Sequence, residues 1–462
     1  MKLGTRLAIV AAGAALAGPA SAADLGGNCC ADLEERIAEL EATTARKGNR
    51  KVSLTIYGHV NEAIFLWDDG FEQNQTIATN DNARTRFGFK GENKISDGWK
   101  AGYVLEIGVR GNNSKRFNQI ENTAEADERG LDVRHSRWFL ASKELGTVSM
   151  GTTPTAMEGA TEINLAHTKD IAKYSDVEDS ALGLFLRNTA GGLSNGGVNQ
   201  APVQWRRLIK HTGDQPGEGE RREGVWYVSP ELGGFNFEAG WGADDTWDLG
   251  LKYKGEVAGF KIAAGLAYGE NHDENGDSAF FECTSTAAAN GNGGESRADC
   301  QQFGGSVSVM HEATGLYFNV AGGVHKDDNV LNSEDFVGTA ADDETTFWAF
   351  EAGIEQKFTS LGKTTIFGQY YDLDGGANAR VRVDDADPIH GNPLAGDARV
   401  FSSGLRMYGG GVVQELANAS MLIYAYYRHY EADLELADEG TVFNSAPLED
   451  LDVGVVGAII KF

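Results

Sequence analysis

Three basic side chains share one face of a short alternating stretch. Arg84, Arg86 and Lys90 lie an even number of positions apart, and Phe87 and Phe89 occupy positions between them. Because successive side chains of a β-strand point to opposite faces, this spacing predicts a strand with one cationic and one aromatic face. If the aromatic face meets apolar surroundings, the cations must face water. The same spacing also suits ordinary solvated residues with no further role.

A group of acidic residues lies in the segment 152–223, followed by two arginines. The acids are Glu158, Glu162, Asp170, Asp176, Glu178 and Asp179, and the arginines are Arg206 and Arg207. Carboxylates opposed to cations across a narrow aqueous gap create a transverse field that orients polar solutes. Each acid taken alone is better explained as an ordinary loop residue. As a group, they suit the acidic side of such an aqueous gap.

Metal binding has weaker support in the sequence. Residues 271–276, with Glu282 at the twelfth position, nearly match an EF-hand calcium loop. The first position is Asn271 rather than Asp, however, and no helical pattern flanks the segment. An acidic hairpin loop is the simpler interpretation. We therefore expect no cofactor and keep calcium in this loop as the alternative.

The four cysteines fall into two pairs. Cys283 and Cys300 bracket a stretch rich in Gly, Asn and Ala, and they are predicted to form a disulfide that pins a surface loop. Cys29 and Cys30 are adjacent, so the sequence does not assign their partners, and a bridge between subunits is one option.

Charge and motifs exclude several classes of protein. The formal net charge of −28 makes nucleic acid a poor partner. The chain contains no His-Glu-x-x-His or Cys-x-x-Cys motif, and Lys357 stands where a phosphate-binding loop ending at Gly362-Lys363-Thr364 needs its first glycine. We therefore expect a protein that is not an enzyme.

The chain begins with features of an export signal. Lys2 and Arg6 precede a short apolar run at residues 7–16, and Ala20-Ser21-Ala22 fits a cleavage site. Residues 1–22 are therefore predicted to be a signal peptide. In residues 23–50, Leu33, Ile37 and Leu40 have the spacing of an amphipathic, coiled-coil-like helix, followed by a basic linker. Alone this helix is too short to be stable, so we expect it in the periplasm, either between subunits or against its own barrel.

From Val52 onward the hydrophobic period changes from helical to two. Sixteen candidate strands recur over residues 51–462, joined alternately by short turns and by long polar loops. Their predicted starts are Val52, Arg84, Trp99, Leu131, Thr147, Gly224, Phe235, Asp248, Phe260, Gln302, Leu316, Phe347, Lys363, Val400, Ser420 and Leu451. The alternation of short turns and long loops predicts an all-β fold. We expect a 16-stranded antiparallel transmembrane β-barrel preceded by the short N-terminal helical segment.

The last predicted strand runs from Leu451 to Phe462 and is suited to close the barrel against the first. Its final aromatic residue, Phe462, is the candidate assembly signal. One face of this strand is apolar, as lipid requires. The other face is less polar than a water-lined wall should be, because Val455 and Ile459 lie on it.

Several segments, in this order, resemble one family. Residues 86–91, 98–101 and 105–106 resemble the second and third strands of the trimeric general-diffusion porins of Gram-negative bacteria, and residues 145–151 resemble their fifth strand. Residues 228–235 resemble the turn between their sixth and seventh strands. The acidic coiled segment before the barrel looks like the alphaproteobacterial, rhizobial-type branch. Two features depart from the pattern: Thr152 stands where an Arg is common, and the segment 152–223 is unusually long.

The resemblance implies a homotrimer in the cell outer membrane, surrounded by lipids and lipopolysaccharide. Each barrel would carry its third outer loop folded inward, with the acids of that loop facing basic residues of the wall. The expected function is passive diffusion of small hydrophilic solutes and ions. A channel specific for a sugar or an anion, a structural or adhesive surface barrel, and a soluble β-rich secreted protein remain the alternatives.

Overall fold

A computed structural model describes residues 52–121, 130–194, 203–209, 215–242, 245–272, 283–284, 298–391 and 396–462. The predicted signal peptide, the amphipathic helix, Cys29 and Cys30 lie outside the described residues, as does most of the calcium-loop candidate. Within the described ranges, no helix has both the length and the apolar character needed to cross a membrane.

Within these ranges, nineteen strands form one sheet in which neighbouring strands are antiparallel. They are β1 (Thr55–Asp68), β2 (Gln73–Thr79), β3 (Arg86–Ser96), β4 (Trp99–Arg110), β5 (Gly130–Ser142), β6 (Gly146–Thr153), β7 (Arg222–Val228), β8 (Phe235–Gly242), β9 (Thr246–Val257), β10 (Phe260–Asn271), β11 (Cys300–His311), β12 (Leu316–Asp327), β13 (Glu344–Thr359), β14 (Gly362–Gly375), β15 (Asn378–Val383), β16 (Ala398–Leu416), β17 (Met421–Asp438), β18 (Thr441–Asn444) and β19 (Leu451–Lys461).

The sheet closes on itself where β19 pairs with β1. Val60 lies opposite Ile460, and the backbones of Gly58 and Phe462 exchange two hydrogen bonds of 3.0 Å. The strands β2, β15 and β18 each pair with one neighbour only and lengthen the wall locally. The other sixteen of the described strands form the closed barrel wall, which confirms the strand number predicted from the sequence.

The barrel has an apolar outside. On β1, Val60 and Ile64 are 43% and 44% exposed, whereas Ala63 and Phe65, which point inward, are buried. Phe318 and Trp348 also lie exposed on the outer surface. This arrangement is the reverse of a soluble barrel and is expected when lipid surrounds the wall, because apolar side chains then have no reason to avoid the surface.

Short turns connect the strands at one end of the barrel. The β9–β10 turn consists of Ala258 and Gly259, both with positive φ, as a two-residue type I′ hairpin requires. At the opposite end most of the connections are longer. We number them as outer loops, which include L2 (111–129), L3 (154–221) and L5 (272–299). By convention for such barrels, the short turns mark the periplasmic end.

The wall between β2 and β3 is interrupted by a 3₁₀ turn, Asp81–Ala83. Asn80 caps this turn by accepting a hydrogen bond of 3.2 Å from the backbone N–H of Asn82. The interruption corrects the predicted strand start at Arg84: the strand resumes only at Arg86, and Arg84 lies in the connection. A short polar segment is thereby turned toward the barrel interior.

L3 folds into the barrel and fills part of it. Its apolar residues Ile171, Leu182 and Trp205 are buried in one cluster with Tyr371 and Tyr430 of the wall. The inward face of β19 joins the same cluster through side chains that include Val455 and Ile459. L3 therefore covers the wall from β11 to β19 and confines water to the remaining part of the lumen.

Wall side chains hold the first part of L3 through its backbone. The N–H groups of Ile163 and Leu165 donate to the hydroxyls of Ser306 and Ser308 at 3.0 Å each. Because the two serines are two residues apart on β11, both point inward. The N–H of His167 donates at 2.9 Å to Glu355 on β13. The backbone N–H groups of every second loop residue thus donate to side chains that point inward from the wall.

The returning part of L3 touches the wall where the wall has no side chains. Gly217, with φ of +83°, lies against Gly304 of β11, and a Cβ on Gly304 would stand 2.6 Å from the Gly217 Cα. Two carbon atoms that are not bonded to each other cannot approach so closely unless the backbone moves. Glycine at both positions is therefore what allows this contact.

Candidate constriction site

A cavity of about 430 Å³ remains between L3 and the wall formed by β3 to β6. Its lining is almost entirely charged. The basic residues are Arg84, Arg86, Lys115, Arg116, Arg134, Lys173, Arg206 and Arg221, and the acidic residues are Asp81, Asp132, Glu158, Glu162, Asp176, Asp179, Glu218 and Glu220. Because the two sets are equal in number, the described lining is formally neutral.

A buried carboxylate positions the basic residues on the wall. Glu106 of β4 accepts a hydrogen bond from Arg134 Nε at 2.9 Å and lies 3.4 Å from Arg86 Nη1. Its second oxygen accepts from the Tyr57 hydroxyl at 3.1 Å. Arg84 is held separately by Asp132, at 3.0 Å. The wall thus presents guanidinium groups from β3, β5 and the connection before β3.

A β-bulge brings an additional arginine to the lumen. Glu106 pairs with His135 but the next residue, Ile107, pairs with Val133, so Arg134 is the extra residue of β5. Arg137 stacks over Trp226, 5.1 Å from the ring centroid, also on the inner side. Strict alternation would place residues 134 and 137 on opposite faces, which is why the sequence pattern missed Arg134.

The loop side of the cavity contains carboxylates interleaved with two lysines. Lys173 Nζ lies 2.9 Å from Glu162 and 3.0 Å from Asp176. Lys115, which comes from L2, contacts Glu178 and lies 3.5 Å from Asp179. Further along the loop, Glu158 pairs with Arg221 at 2.8 Å.

Two neighbouring carboxyl groups of L3 differ in acidity. Burial opposes ionisation of Asp176, but Lys173 and Lys115 outweigh it and hold the pKa of Asp176 below its ordinary value. Burial, followed by the negative charge of Asp176, raises the pKa of Asp179 well above its ordinary value. The pair therefore carries less negative charge in total than two independent aspartates would.

The structure places seven of the predicted site residues on the cavity lining: Arg84, Arg86, Glu158, Glu162, Asp176, Asp179 and Arg206. Glu178 is buried beside them, against Lys115. The structure thus brings acids of L3 and cations of the wall into one site, as the sequence pattern suggests.

Three other predicted residues lie away from the cavity. Lys90 stands four residues from Arg86 toward the short-turn end, roughly 13 Å along the strand, and its ammonium lies 5.2 Å from the Tyr57 ring centroid. Asp170 binds Lys461 at the barrel seam, because L3 follows the wall that far before it turns back. Arg207 is exposed next to Arg206 and does not contribute to the lining.

Sequence reasoning missed Lys115 and Lys173. Lys115 lies in L2, which is turned inward because Ser114 donates its N–H to the carbonyl of Thr79 at 2.9 Å. No local pattern predicts this. Lys173 stands three residues before Asp176 in an acidic stretch, and this spacing could have indicated an internal ion pair.

The outer end of the barrel carries the predicted disulfide. Cys283 and Cys300 are bonded, with Cα atoms 6.1 Å apart, and Cys300 is the first residue of β11. Next to the bridge, the Thr284 N–H donates at 2.7 Å to Asp327, which joins this part of L5 to the end of β12. These residues do not belong to the cavity lining.

Among the residues that the structure describes, two groups of carboxylates are close enough together to hold a metal ion. They are Asp176, Glu178 and Asp179 in L3, and Asp384, Asp385 and Asp397 at the outer end of the barrel. In L3, Lys173 pairs with Asp176 and Lys115 contacts Glu178, so ammonium groups already neutralise part of this charge. The donor set therefore fits an internal ion-pair cluster better than a metal centre.

A family model described as Gram-negative porin matches residues 8–442. No curated protein sequence matches the chain significantly. Similar solved structures include the outer-membrane expressed OmpT of Vibrio cholerae, at 12% identity and a TM-score of 0.49, covering 90% of this chain and 99% of that one. They also include an anion-selective porin from Comamonas acidovorans, at 15% identity and a TM-score of 0.47, covering 89% and 100%.

Proposed function

The chain belongs to the Gram-negative porin family, and on this premise we propose that the charged cavity between L3 and β3–β6 is the constriction through which solutes pass. The protein is an outer-membrane diffusion channel, and its family is one of channels rather than enzymes. Solutes cross such a barrel down their concentration gradient, so its residues select by size and charge without a chemical step.

The observation that carries the proposal is the opposition of charge across one small cavity. Arg84, Arg86 and Arg134 approach from the wall, and Glu162, Asp176 and Asp179 approach from L3. In a narrow site walled by protein, such opposed rows act on a solute with little screening and align its dipole. Wall side chains hold the first part of L3, and the close contact of Gly217 with Gly304 fixes its returning part, so these rows keep their separation.

The composition of the cavity favours small hydrophilic solutes in general over one specific solute. Its described lining is formally neutral and includes no aromatic side chain. A sugar-binding channel needs aromatic faces on which rings can stack, and an anion-binding channel needs an excess of cations. We therefore propose general diffusion with weak ion selectivity, without a cofactor.

The outward face of β1 supports assembly into a trimer. Glu62 lies at the middle of this strand, exposed between Val60 and Ile64, and accepts hydrogen bonds from Thr79 at 2.8 Å and Thr85 at 3.1 Å. A carboxylate at this depth is unfavourable against lipid but not against another subunit. We place β1 in a homotrimer interface, with lipopolysaccharide around the remaining outer surface.

The predicted N-terminal segment belongs to the same proposal. In a trimer, three copies of the amphipathic helix at residues 31–47 would meet on the periplasmic side, which suits the alphaproteobacterial branch that the segment resembles. The barrel begins at residue 51 in this scheme, after a signal peptide of residues 1–22 and a helix and linker of residues 23–50.

Single-channel recording in a planar bilayer tests the proposed function. The purified protein should give ohmic steps whose conductance rises in proportion to salt concentration, and liposome swelling should show non-saturating uptake of small sugars. Saturable uptake of one solute would instead indicate a specific channel. Absence of conductance from a folded, heat-modifiable oligomer would contradict the proposal and favour a structural or adhesive barrel.

A further inference from the structure

The acidic side of the proposed constriction contains basic groups supplied by two different loops. Lys173 belongs to L3 itself and lies within 4 Å of three carboxylates: Glu162 at 2.9 Å, Asp176 at 3.0 Å and Asp179 at 3.9 Å. Lys115 belongs to L2 and reaches the same cluster from the other side, at Glu178 and Asp179. Four carboxylates therefore share two ammonium groups.

Both lysines are fixed in place by contacts of their own backbone or neighbours. The N–H of Lys173 donates to Asn82 at 2.8 Å, and its carbonyl accepts from the buried Arg428 of β17. Next to Lys115, Ser114 donates its N–H to Thr79 and its hydroxyl to the carbonyl of Asp179. The two ammonium groups are thus structural parts of the cluster rather than mobile surface charges.

The position of the lysines makes their charge effective. Their side chains are only 15% and 20% exposed, for Lys115 and Lys173 respectively, and Lys115, Lys173, Asp176 and Asp179 all line the cavity. Ions in bulk solution screen such groups much less than they screen the outer loops. A permeating ion therefore experiences the cluster with the lysines included.

We propose that Lys115 and Lys173 set the ion preference of the channel by offsetting half of the formal negative charge of this four-carboxylate cluster. This inference rests on the proposed function, since it requires that ions cross beside the cluster. Without the two lysines, the four carboxylates have a formal charge of −4 and would favour cations. With the two lysines the formal charge is −2, which the wall arginines oppose. The lysines are therefore specificity-determining residues on the side of the pore that otherwise selects cations.

The test measures reversal potential under a KCl gradient for Lys173→Gln and Lys115→Gln, with Lys169→Gln as the matched control. Lys169 is an exposed residue of the same loop and does not line the cavity. Each of the first two variants should raise the ratio of potassium to chloride permeability by about threefold, the effect of one unit charge a few ångströms from a hydrated ion. The change in this ratio caused by Lys169→Gln should be at least twofold smaller than that caused by either of the first two variants. Lys173→Arg, which keeps the positive charge, should keep the ratio of the unmodified protein.

Recordings at pH 7 and pH 9 separate charge from altered structure. Removing a lysine allows the remaining carboxylates to take up a proton, and this compensation is weaker at pH 9, so the shift should grow with pH. A loosened loop would instead change the conductance at both pH values without changing the ratio.

The outcomes distinguish the inference from the function on which it rests. If the unmodified protein does not conduct, the proposed function fails. If it conducts but Lys173→Gln and Lys115→Gln leave the ratio unchanged, or shift it no more than Lys169→Gln does, the lysine proposal is overturned while the channel stands. Because the two lysines belong to different loops, failure of one variant to fold leaves the other as a full test.

Discussion

The ammonium of Lys461 binds the carboxylate of Asp170, joining the closing strand β19 to the deepest part of L3. The Asn61 side chain of β1 lies beside the same segment, 3.5 Å from the Asp170 carbonyl. The seam of the barrel and the path of the inward loop are therefore held at one point. Closure of the wall between β19 and β1 completes the site at which L3 is anchored.

Replacing Lys461 by Gln should weaken this anchor in a pH-dependent way. Burial opposes ionisation of Asp170, but Lys461 outweighs it and lowers the pKa of Asp170. A lowered pKa stabilises the folded state above the ordinary pKa near 4, and this stabilisation is lost as pH falls through the folded value. The variant should therefore lower the thermal stability of the oligomer at pH 7, by about 0.5 kcal/mol for a half-exposed pair. The deficit should shrink as the pH is lowered below the ordinary pKa of an aspartate, and a deficit that does not change with pH would argue against the pair.

Replacing Glu106 by Gln should shift the channel toward anions. The change removes the negative charge that lies between Arg86 and Arg134 but keeps the shape of the side chain. The permeability ratio of potassium to chloride should fall by roughly twofold to threefold. Glu223→Gln, on the outward face of β7, is the control and should leave reversal potential unchanged. Equal effects of the two variants would show that Glu106 does not act at the constriction.

Replacing Arg428 by Leu should free the turn of L3 around residue 180. Arg428 is fully buried and donates to the Ser180 hydroxyl and the Gln369 side chain, at 2.9 Å each. Losing such charge-assisted hydrogen bonds costs about 3 kcal/mol locally. We expect noisier channels with altered conductance while the oligomer still forms. Arg406→Leu, at an exposed outward position, should not change the noise; unchanged noise in both variants would contradict a positioning role for Arg428.

Removing the disulfide should affect the outer surface but not conduction. Cys283 and Cys300 are 17 residues apart, so the bridge restrains a loop whose closure contributes about 3 kcal/mol in the chain-entropy model. The Cys283→Ser/Cys300→Ser variant should be cleaved faster in L5 by an added protease. Its conductance should match that of the unmodified protein, since neither cysteine lines the cavity. A clear change in conductance would mean that L5 reaches the constriction.

The strand pattern of the barrel could be predicted because each wall strand has one lipid face and one inner face. Five predicted starts, Trp99, Phe235, Phe260, Leu316 and Leu451, coincide with those of the structure. The period of two, together with the turn glycines that precede four of these strands, carries this information. It also explains the apparent exception in β19, where Val455 and Ile459 face inward: they pack against L3 rather than against water.

The constriction could be predicted only in part, because its residues are brought together by irregular structure. The acids of L3 were recognisable as a group, but the path of the loop decides that Asp176 lines the cavity and Asp170 does not. Arg134 reaches the lumen through a bulge, and Lys115 through an inward turn of L2. Bulges and loop paths depend on contacts between segments distant in sequence, and no local period encodes them.

The most direct test of the central claim compares two double variants by reversal potential under a salt gradient. Asp176→Asn/Asp179→Asn removes charge from the loop side, and Arg86→Ala/Arg134→Ala removes it from the wall. If these residues face each other across the constriction, the first variant should shift selectivity toward anions and the second toward cations. Asp170→Asn, at the seam, should have little effect. If both double variants leave the reversal potential unchanged, or shift it in the same direction, the constriction does not lie between L3 and β3–β6.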